Sequence, residues 1–297
     1  MKTLKAIWRL LRPKQWSKNL LVLAAPIFAA VHRDPNALQA TGIAFAAMCL
    51  ASSATYVAND LLDAERDKLH PVKQNRPIAS GQIGKTTALV LATVLALAGV
   101  GLASLLNTSS LTIVLSYLVL QVLYNLGLKK VPIADVFTIA LGFIFRAVLG
   151  AAAVSVPISG WLLFCTGALA LMLGFAKRRH EYILQSELRT ASRESLGGYS
   201  KAGLDALVIM TATGGAMCYG IYTVDSGTAA RYPAIVITSL FVFYGIARYV
   251  LIIFGRDEGG EPADLLFKDP QLLASVLLFM ASAILAVSGM RIPLLEK

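Results

Sequence analysis

Apolar runs of about twenty residues follow one another along this 297-residue chain, and a run of that length is what an α-helix needs to cross the hydrocarbon of a bilayer. Only 15% of the residues are charged and 57% are hydrophobic, so a soluble domain is excluded and an all-α, polytopic membrane protein is expected. Hydropathy predicts nine spans, near 17–32, 38–62, 86–106, 109–127, 132–153, 158–177, 203–224, 232–254 and 271–290. A single integral membrane domain over residues 1–297 is expected, its nine helices surrounding a cavity open to the cytoplasm.

Lys and Arg are retained on the cytoplasmic side of a membrane. They crowd before the first span (Lys2, Lys5, Arg9, Arg12, Lys14, Lys18), between spans two and three (Arg66, Lys68, Lys73, Arg76, Lys85) and between six and seven (Lys177, Arg178, Arg179, Arg189, Arg193, Lys201). Opposite ends carry Arg33, Arg231, Arg291 and Lys297, which predicts a cell-membrane protein with its N-terminus inside and its C-terminus outside. This bias accounts for most of the net charge of +10 and argues against a nucleic-acid partner. The first apolar segment follows a long basic stretch without a small-residue cleavage site, so it is expected to be retained. Cys49, Cys165 and Cys218 all fall within spans, where cysteine packs as a small hydrophobe, and suggest neither a disulfide framework nor a thiolate metal site.

Outward joins such as NTSS and SVPISG are short and uncharged, whereas the inward joins 63–85 and 177–202 are long and charged, which locates function on the cytoplasmic face. Their spacing of four spans is what a duplicated four-helix unit would give, although the residues do not visibly repeat. At the first long join, Asn59, Asp60, Asp63 and Asp67 point within about a 100° arc of a continuous helix, with Glu65 and Arg66 elsewhere. Three carboxylates and an amide at a membrane boundary repel one another unless cations neutralise them, and hard oxygen donors suit Mg2+ carrying a diphosphate. The plainer alternative is a solvated helix end whose acids pair with Lys68, Lys73 and Arg76.

The stretch NDLLDAERD resembles the NDxxDxxxD motif of the UbiA-type prenyltransferase superfamily, integral membrane enzymes of nine helices that bind Mg2+ diphosphates in a cytoplasmic-side cavity. Members that use a prenyl diphosphate carry a second aspartate-rich motif after span six; here that region reads GFAKRRHEYILQSE, with Lys177, Arg178 and Arg179 in its place and Glu181 the nearest acid. A basic triplet can be a plain positive-inside anchor, but an Arg/Lys cluster also suits additional phosphate groups. The segments RPKQWSKN (12–19), NDLLDAERDKLHPVKQNRPIASG (59–81), LKKVPIADVFTIALGFIFRAVLGA (128–151) and FAKRRHEY (175–182) are similar to the polyprenyl-phosphate phosphoribosyltransferase branch of the superfamily. That resemblance implies transfer of phosphoribose from 5-phosphoribosyl diphosphate to decaprenyl or another polyprenyl phosphate, giving a lipid-linked precursor for cell-wall arabinan such as arabinogalactan. It implies that Asn59, Asp60, Asp63 and Asp67 hold Mg2+ and diphosphate, the three aspartates as metal ligands, while Lys18, Lys73, Arg76, Lys177, Arg178 and Arg179 line a phosphate-rich cavity.

The residues fit that chemistry in one respect: there is no Ser/His/Asp or Cys/His constellation, and a phosphate monoester is already largely ionised at neutral pH and needs no base. Arg178, Arg179 and Lys18 would hold either the acceptor or the ribose 5-phosphate, and Glu181 would face positive charge developing at the anomeric carbon. Trp16 either guides the lipid tail or belongs to the aromatic belt, and Arg146 faces the cavity or an acid such as Asp135. His32, His70 and His180 lack metal-ligand spacing, and the segment 256–269, with Asp257, Glu258, Glu261 and Asp264, is expected as a lid or a plain connection. The rival functions are an aromatic prenyltransferase, disfavoured by the missing second acidic motif, and a lipid-phosphate transporter, disfavoured by the near absence of charge from the outer half.

Overall fold

The computed structural model describes residues 2–29, 31, 34–69, 73–188, 194–257, 259–260 and 262–290, and no strand occurs among them. Eight segments among these residues are helical, long and apolar enough to cross a membrane: Pro35–Leu62, Lys85–Ser104, Thr108–Leu126, Ala134–Ala153, Gly160–Leu184, Lys201–Arg231, Pro233–Arg256 and Pro270–Val287. They correspond to the second through ninth expected spans. The first differs in kind.

After α1 (Lys2–Leu11), residues Pro13–Leu23 wind as a 3-10 helix and only then give way to a short α2 (Ala24–Phe28). At about 2.0 Å per residue such a segment covers ~22 Å, most of the ~30 Å of bilayer hydrocarbon, without being an α-helical span. Its three-residue turn explains the choice: Pro13, Trp16, Asn19 and Val22 stack along one side, and Asn19 and Val22 are buried.

The chain divides into two compact units. Met1–Pro26, His32–Gly127 and Phe145–Val156 form the first, comprising α1, the 3-10 segment, α3 (Pro35–Leu62), α4 (Ala64–Lys68), α5 (Lys85–Ser104), α6 (Thr108–Leu126) and the second half of α7 (Ala134–Ala153). Asp34 caps α3 by accepting from the Asn36 amide, and Asn107 caps α6 by accepting from that of Ser110, each satisfying a first-turn donor. Small residues set the α3–α5 contact: a Cβ on Gly99 would lie 3.0 Å from the carbonyl oxygen of Ala47, so the backbones approach closely. The core here gathers Val22, Ala44, Met48, Ala51, Val114, Tyr117 and Leu149.

Ile27–Val31, Leu128–Ile144 and Pro157–Lys297 form the second unit. It holds the first half of α7, then α8 (Gly160–Leu188), α9 (Lys201–Tyr222), α10 (Gly227–Arg231), α11 (Thr238–Arg256), α12 (Pro262–Lys268) and α13 (Pro270–Val287). Its core centres on Val136, Phe175, Leu204, Val208, Tyr249 and Ile253. A cavity of about 330 Å3 among α7, α8 and α9 is bordered by Phe137, Ile144, Phe164, Gly167, Met210 and Gly214. None of the expected site residues lines it. The sixth span does not stop at 177: α8 runs on to Leu188, because hydropathy marks where apolar residues end rather than where helical hydrogen bonding ends. Likewise 256–269 is not a featureless loop, since it contains α12.

Gly150 on α7 touches the 3-10 segment so closely that a Cβ there would collide with the carbonyl of Val22. Gly150→Ala is therefore expected to cost about 1–3 kcal/mol, measured as a lowered midpoint of thermal unfolding in detergent.

Candidate active site

In the first unit, the acidic face forms at the end of α3. Asp60 lies on the last turn, and at Asp63 the backbone departs from helical geometry (φ −88°, ψ 3°) before α4 resumes. The i to i−4 hydrogen bonds from the amide of Asp63 to the carbonyl of Asn59, and from Asp67 to Asp63, carry the helical phase across this break. The acids therefore keep the expected spacing although the helix is not continuous. Asp60 and Asp67 are buried, 3% and 4% exposed.

Two guanidiniums neutralise them. Arg76 Nη1 donates to Asp60 Oδ1 at 3.0 Å and to Asp67 Oδ2 at 2.7 Å, and Arg12 Nη2 donates to Asp60 Oδ1 at 2.5 Å. Arg12 ends α1 in the left-handed conformation (φ 52°), which costs a residue with a side chain roughly 1–2 kcal/mol. Its guanidinium also lies 5.2 Å from the Tyr56 ring centroid. Glu65, as expected, stands apart: Lys68 and Lys85 at 2.9 and 2.8 Å hold its carboxyl well down, at about 2. Arg76 is thus a partner of the acids in this structure, as the plainer alternative allowed, while Lys68 serves Glu65. Lys18 and Lys73 are exposed and Asn59 is half-buried.

Below the acids the same face of α3 stays polar at helical spacing, through Tyr56, Ser53, Ser52 and Cys49. Ser53 Oγ donates to the terminal carbonyl of α1 at Leu11 (2.9 Å) and accepts from the Trp16 indole (3.0 Å). Asn19 Nδ2 donates to Ser52 Oγ and Cys49 Sγ, both at 3.2 Å. Arg146 Nε donates to Asn19 Oδ1 at 2.7 Å and its charge lies over the Tyr117 ring, 5.2 Å from the centroid.

In the second unit, Lys177, Arg178 and Arg179 lie within α8. Arg178 is buried and donates to Asp135 Oδ2 (2.7 Å) and Glu181 Oε2 (2.5 Å). Asp135 also accepts from Ser195 Oγ (3.0 Å) and Tyr199 OH (2.9 Å), while the Tyr199 oxygen accepts from the amide of Ile133. Ile133 is left-handed (φ 67°), rare for a β-branched residue, and this amide bond helps hold it there. Burial together with the neighbouring Asp135 pushes the Tyr199 phenol above its ordinary value. Arg179 ties α8 to α9 and α11, donating to Asp205 (2.6 Å), Asp257 (2.8 Å) and the carbonyl of Ile253 (3.0 Å). The hydrogen bond from Arg179 holds the Asp257 carboxyl below its usual range. His180 Nδ1 is 2.8 Å from the Asp257 carbonyl, so the start of the 256–269 segment is seated on α8. Lys177 is half-buried. His32, His70, Glu258 and Glu261 lie outside the described residues.

Sequence reasoning assigned no role to Arg12, Asn19, Ser195 or Tyr199. Arg12 and Asn19 stand inside or at the edge of RPKQWSKN, where the dense polarity beside an apolar run was the available signal.

Residues 20–268 match the UbiA prenyltransferase family. The chain belongs to that family. Among UbiA relatives, the decaprenyl-phosphate phosphoribosyltransferase of Mycolicibacterium smegmatis is 34% identical, over 91% of this chain and 87% of that one. The enzyme of the same name from Mycobacterium tuberculosis is 31% identical, over 94% and 93% respectively. The solved structure of a UbiA homolog from Archaeoglobus fulgidus bound to GPP and Mg2+ superposes with a TM-score of 0.74 at 17% identity, covering 95% of this chain and 99% of that one. The all-α UbiA fold is thereby shown for this protein.

The shared guanidinium has a thermodynamic consequence. Arg76→Met removes the donor that Asp60 and Asp67 share, and stripping a buried charge of its partner costs ~3–5 kcal/mol. The loss is expected in thermal unfolding without divalent cations, and Asp67→Asn in the same chain should recover part of it.

Proposed function

We propose that this UbiA-family protein transfers a phosphoribosyl group from 5-phosphoribosyl diphosphate to a polyprenyl phosphate, releasing diphosphate and leaving a lipid-linked phosphoribose for cell-wall arabinan. The observation that carries this reading is the match, over more than nine tenths of the chain, to enzymes named decaprenyl-phosphate phosphoribosyltransferase. The acid and guanidinium cluster at the end of α3 supports it, because its residues suit a phosphorylated donor.

The cluster is chemically suited to Mg2+. One nitrogen of Arg76 already bridges Asp60 and Asp67, so a positive charge is accommodated between two hard carboxylates. Among the described residues no three acids, histidines or cysteines are grouped as a cage, but Mg2+ characteristically takes one or two carboxylates and completes its shell with water and phosphate oxygens. Asp60 and Asp67, with Asp63 beside them, would hold the ion, and when bound it offsets charge on the departing diphosphate. Arg76 and Arg12, displaced from the carboxylates, have planar donor arrays suited to phosphate oxygens. Asn59, Lys18 and Lys73 are proposed as further donors, and Lys177, Arg178 and Arg179 as phosphate-binding cations.

The acceptor phosphate is already an anion at neutral pH and requires no base. Glu181, paired with Arg178, is the carboxylate proposed to face the anomeric carbon. Glu181→Gln should lower turnover about tenfold with substrates saturating; full turnover would leave Glu181 only its ion pair. The basic residues of α1, the 3-10 segment and the α4 to α5 connection support a cytoplasmic site and a cytoplasmic N-terminus; with the 3-10 segment and α2 proposed as a ninth crossing beside the eight helical spans, the C-terminus falls outside.

The deciding experiment incubates purified protein with ribose-labelled phosphoribosyl diphosphate, polyprenyl phosphate and Mg2+, and follows label into organic solvent. Label should move into the lipid phase and fall about a hundredfold in Asp63→Asn. Its absence, with a labelled prenyl diphosphate instead modifying an aromatic acceptor, would return the protein to prenyl transfer.

A further inference from the structure

We propose that Arg146 is a positioning residue for the reaction, acting through Asn19 to hold the 3-10 segment in the phase that presents Arg12 and Lys18. This inference rests on the phosphoribosyl reading for its kinetic part and on the structure of the first unit alone for its geometry.

Runs of 3-10 helix beyond three or four residues are uncommon, because their hydrogen bonds are poorly aligned and side chains three apart eclipse one another. Pro13–Leu23 is eleven residues long, so contacts outside the segment must favour this winding over the α-helix. The eclipsed stripe supplies them. Trp16 is tied to Ser53, and Val22 lies under Gly150. Between them Asn19, 0% exposed, spends its amide donors on Ser52 and Cys49 and its carbonyl oxygen on Arg146.

Arg146 lies within a membrane-crossing helix and is 4% exposed. A cation at that position is expensive, and such residues mark functional sites by default. Its hydrogen bond to Asn19 is 2.7 Å, whereas that to Tyr117 OH is 3.4 Å, so Asn19 receives the stronger bond. Rewinding to 3.6 residues per turn would rotate Asn19 relative to Trp16 and Val22, and the three could no longer keep their partners together. Lys18 directly precedes Asn19, and Arg12 directly precedes the segment. Fixing Asn19 therefore fixes the direction of Lys18, and the start of the same ribbon sets Arg12 on Asp60.

The test compares the full-length protein in detergent with Arg146→Met, which keeps bulk and removes the donors. Amide hydrogen exchange over 13–23 should quicken about tenfold, with α9 unchanged, and kcat/KM for phosphoribosyl transfer should fall by a similar factor. Arg146→Lys should restore part of both. Arg12→Gln combined with Arg146→Met should lose clearly less than the product of the two single fold-losses, since the Arg12 part of the Arg146 effect passes through the same element; a purely structural defect would add. Should Arg146→Met fail to fold, Asn19→Ala reads the same link from its other end. Unchanged exchange at 13–23, faster exchange with undiminished turnover, or additive kinetic losses would each overturn the proposal. A wild-type chain that exchanges as expected but transfers no phosphoribose overturns the phosphoribosyl reading and with it the kinetic part, while the exchange comparison still decides the Arg146–Asn19 link.

Discussion

A carboxylate buried at the end of a membrane-crossing helix has to be neutralised, and the first unit is organised around that requirement. Asp60 draws in Arg12 from the end of α1 and Arg76 from the connection after α4, positions 48 and 16 residues away. Each ion pair thereby also closes a loop: one folds α1 back onto α3, the other brings the stretch after α4 against the helix it leaves. The second unit meets the same requirement in reverse. There the buried groups on α8 are cations, and Asp135, Asp205 and Asp257 come from three different parts of the chain to meet them.

These pairs give the two units different chemical prospects. In the first, one nitrogen serves two acids and a second guanidinium crowds the same oxygen, so the donors are shared, and the proposed exchange for a metal ion and phosphate rests on that sharing. In the second, Asp135 is satisfied by an arginine, a serine and a tyrosine, an arrangement suited to holding the turn before α7 and the turn before α9 in fixed geometry. A network satisfied this fully is strong because every member is paired.

The helices could be read from the sequence because hydrophobic length alone defines a bilayer crossing, and the acidic face because Asn59, Asp60, Asp63 and Asp67 share a local period. Both signals lie within a few residues. What escaped was either non-local or of a different period. Arg12 meets Asp60, and Arg178 meets Asp135, across separations of 48 and 43 residues that no local pattern encodes. Only the second half of the 3-10 segment is apolar, and it runs on into α2 so that the two read together as one span; its repeat of three, visible in Trp16, Asn19 and Val22, differs from 3.6 by too little to stand out over eleven residues. The extension of α8 past Lys177 escaped for a simpler reason, since charged residues form helix as readily as apolar ones once they leave the hydrocarbon.

A ribbon that repeats every three residues has an arithmetic that ordinary helices lack. Removing one residue between Pro13 and Leu23 would turn everything beyond the deletion by about 120°, enough to take either the tryptophan or the asparagine off its serine. Removing three would preserve the facing but shorten the ribbon by ~6 Å, pulling Arg12 away from its carboxylate. The spacing from Arg12 to Val22 is therefore a fixed measure, and this segment should tolerate substitution at its outward positions far better than any change in length.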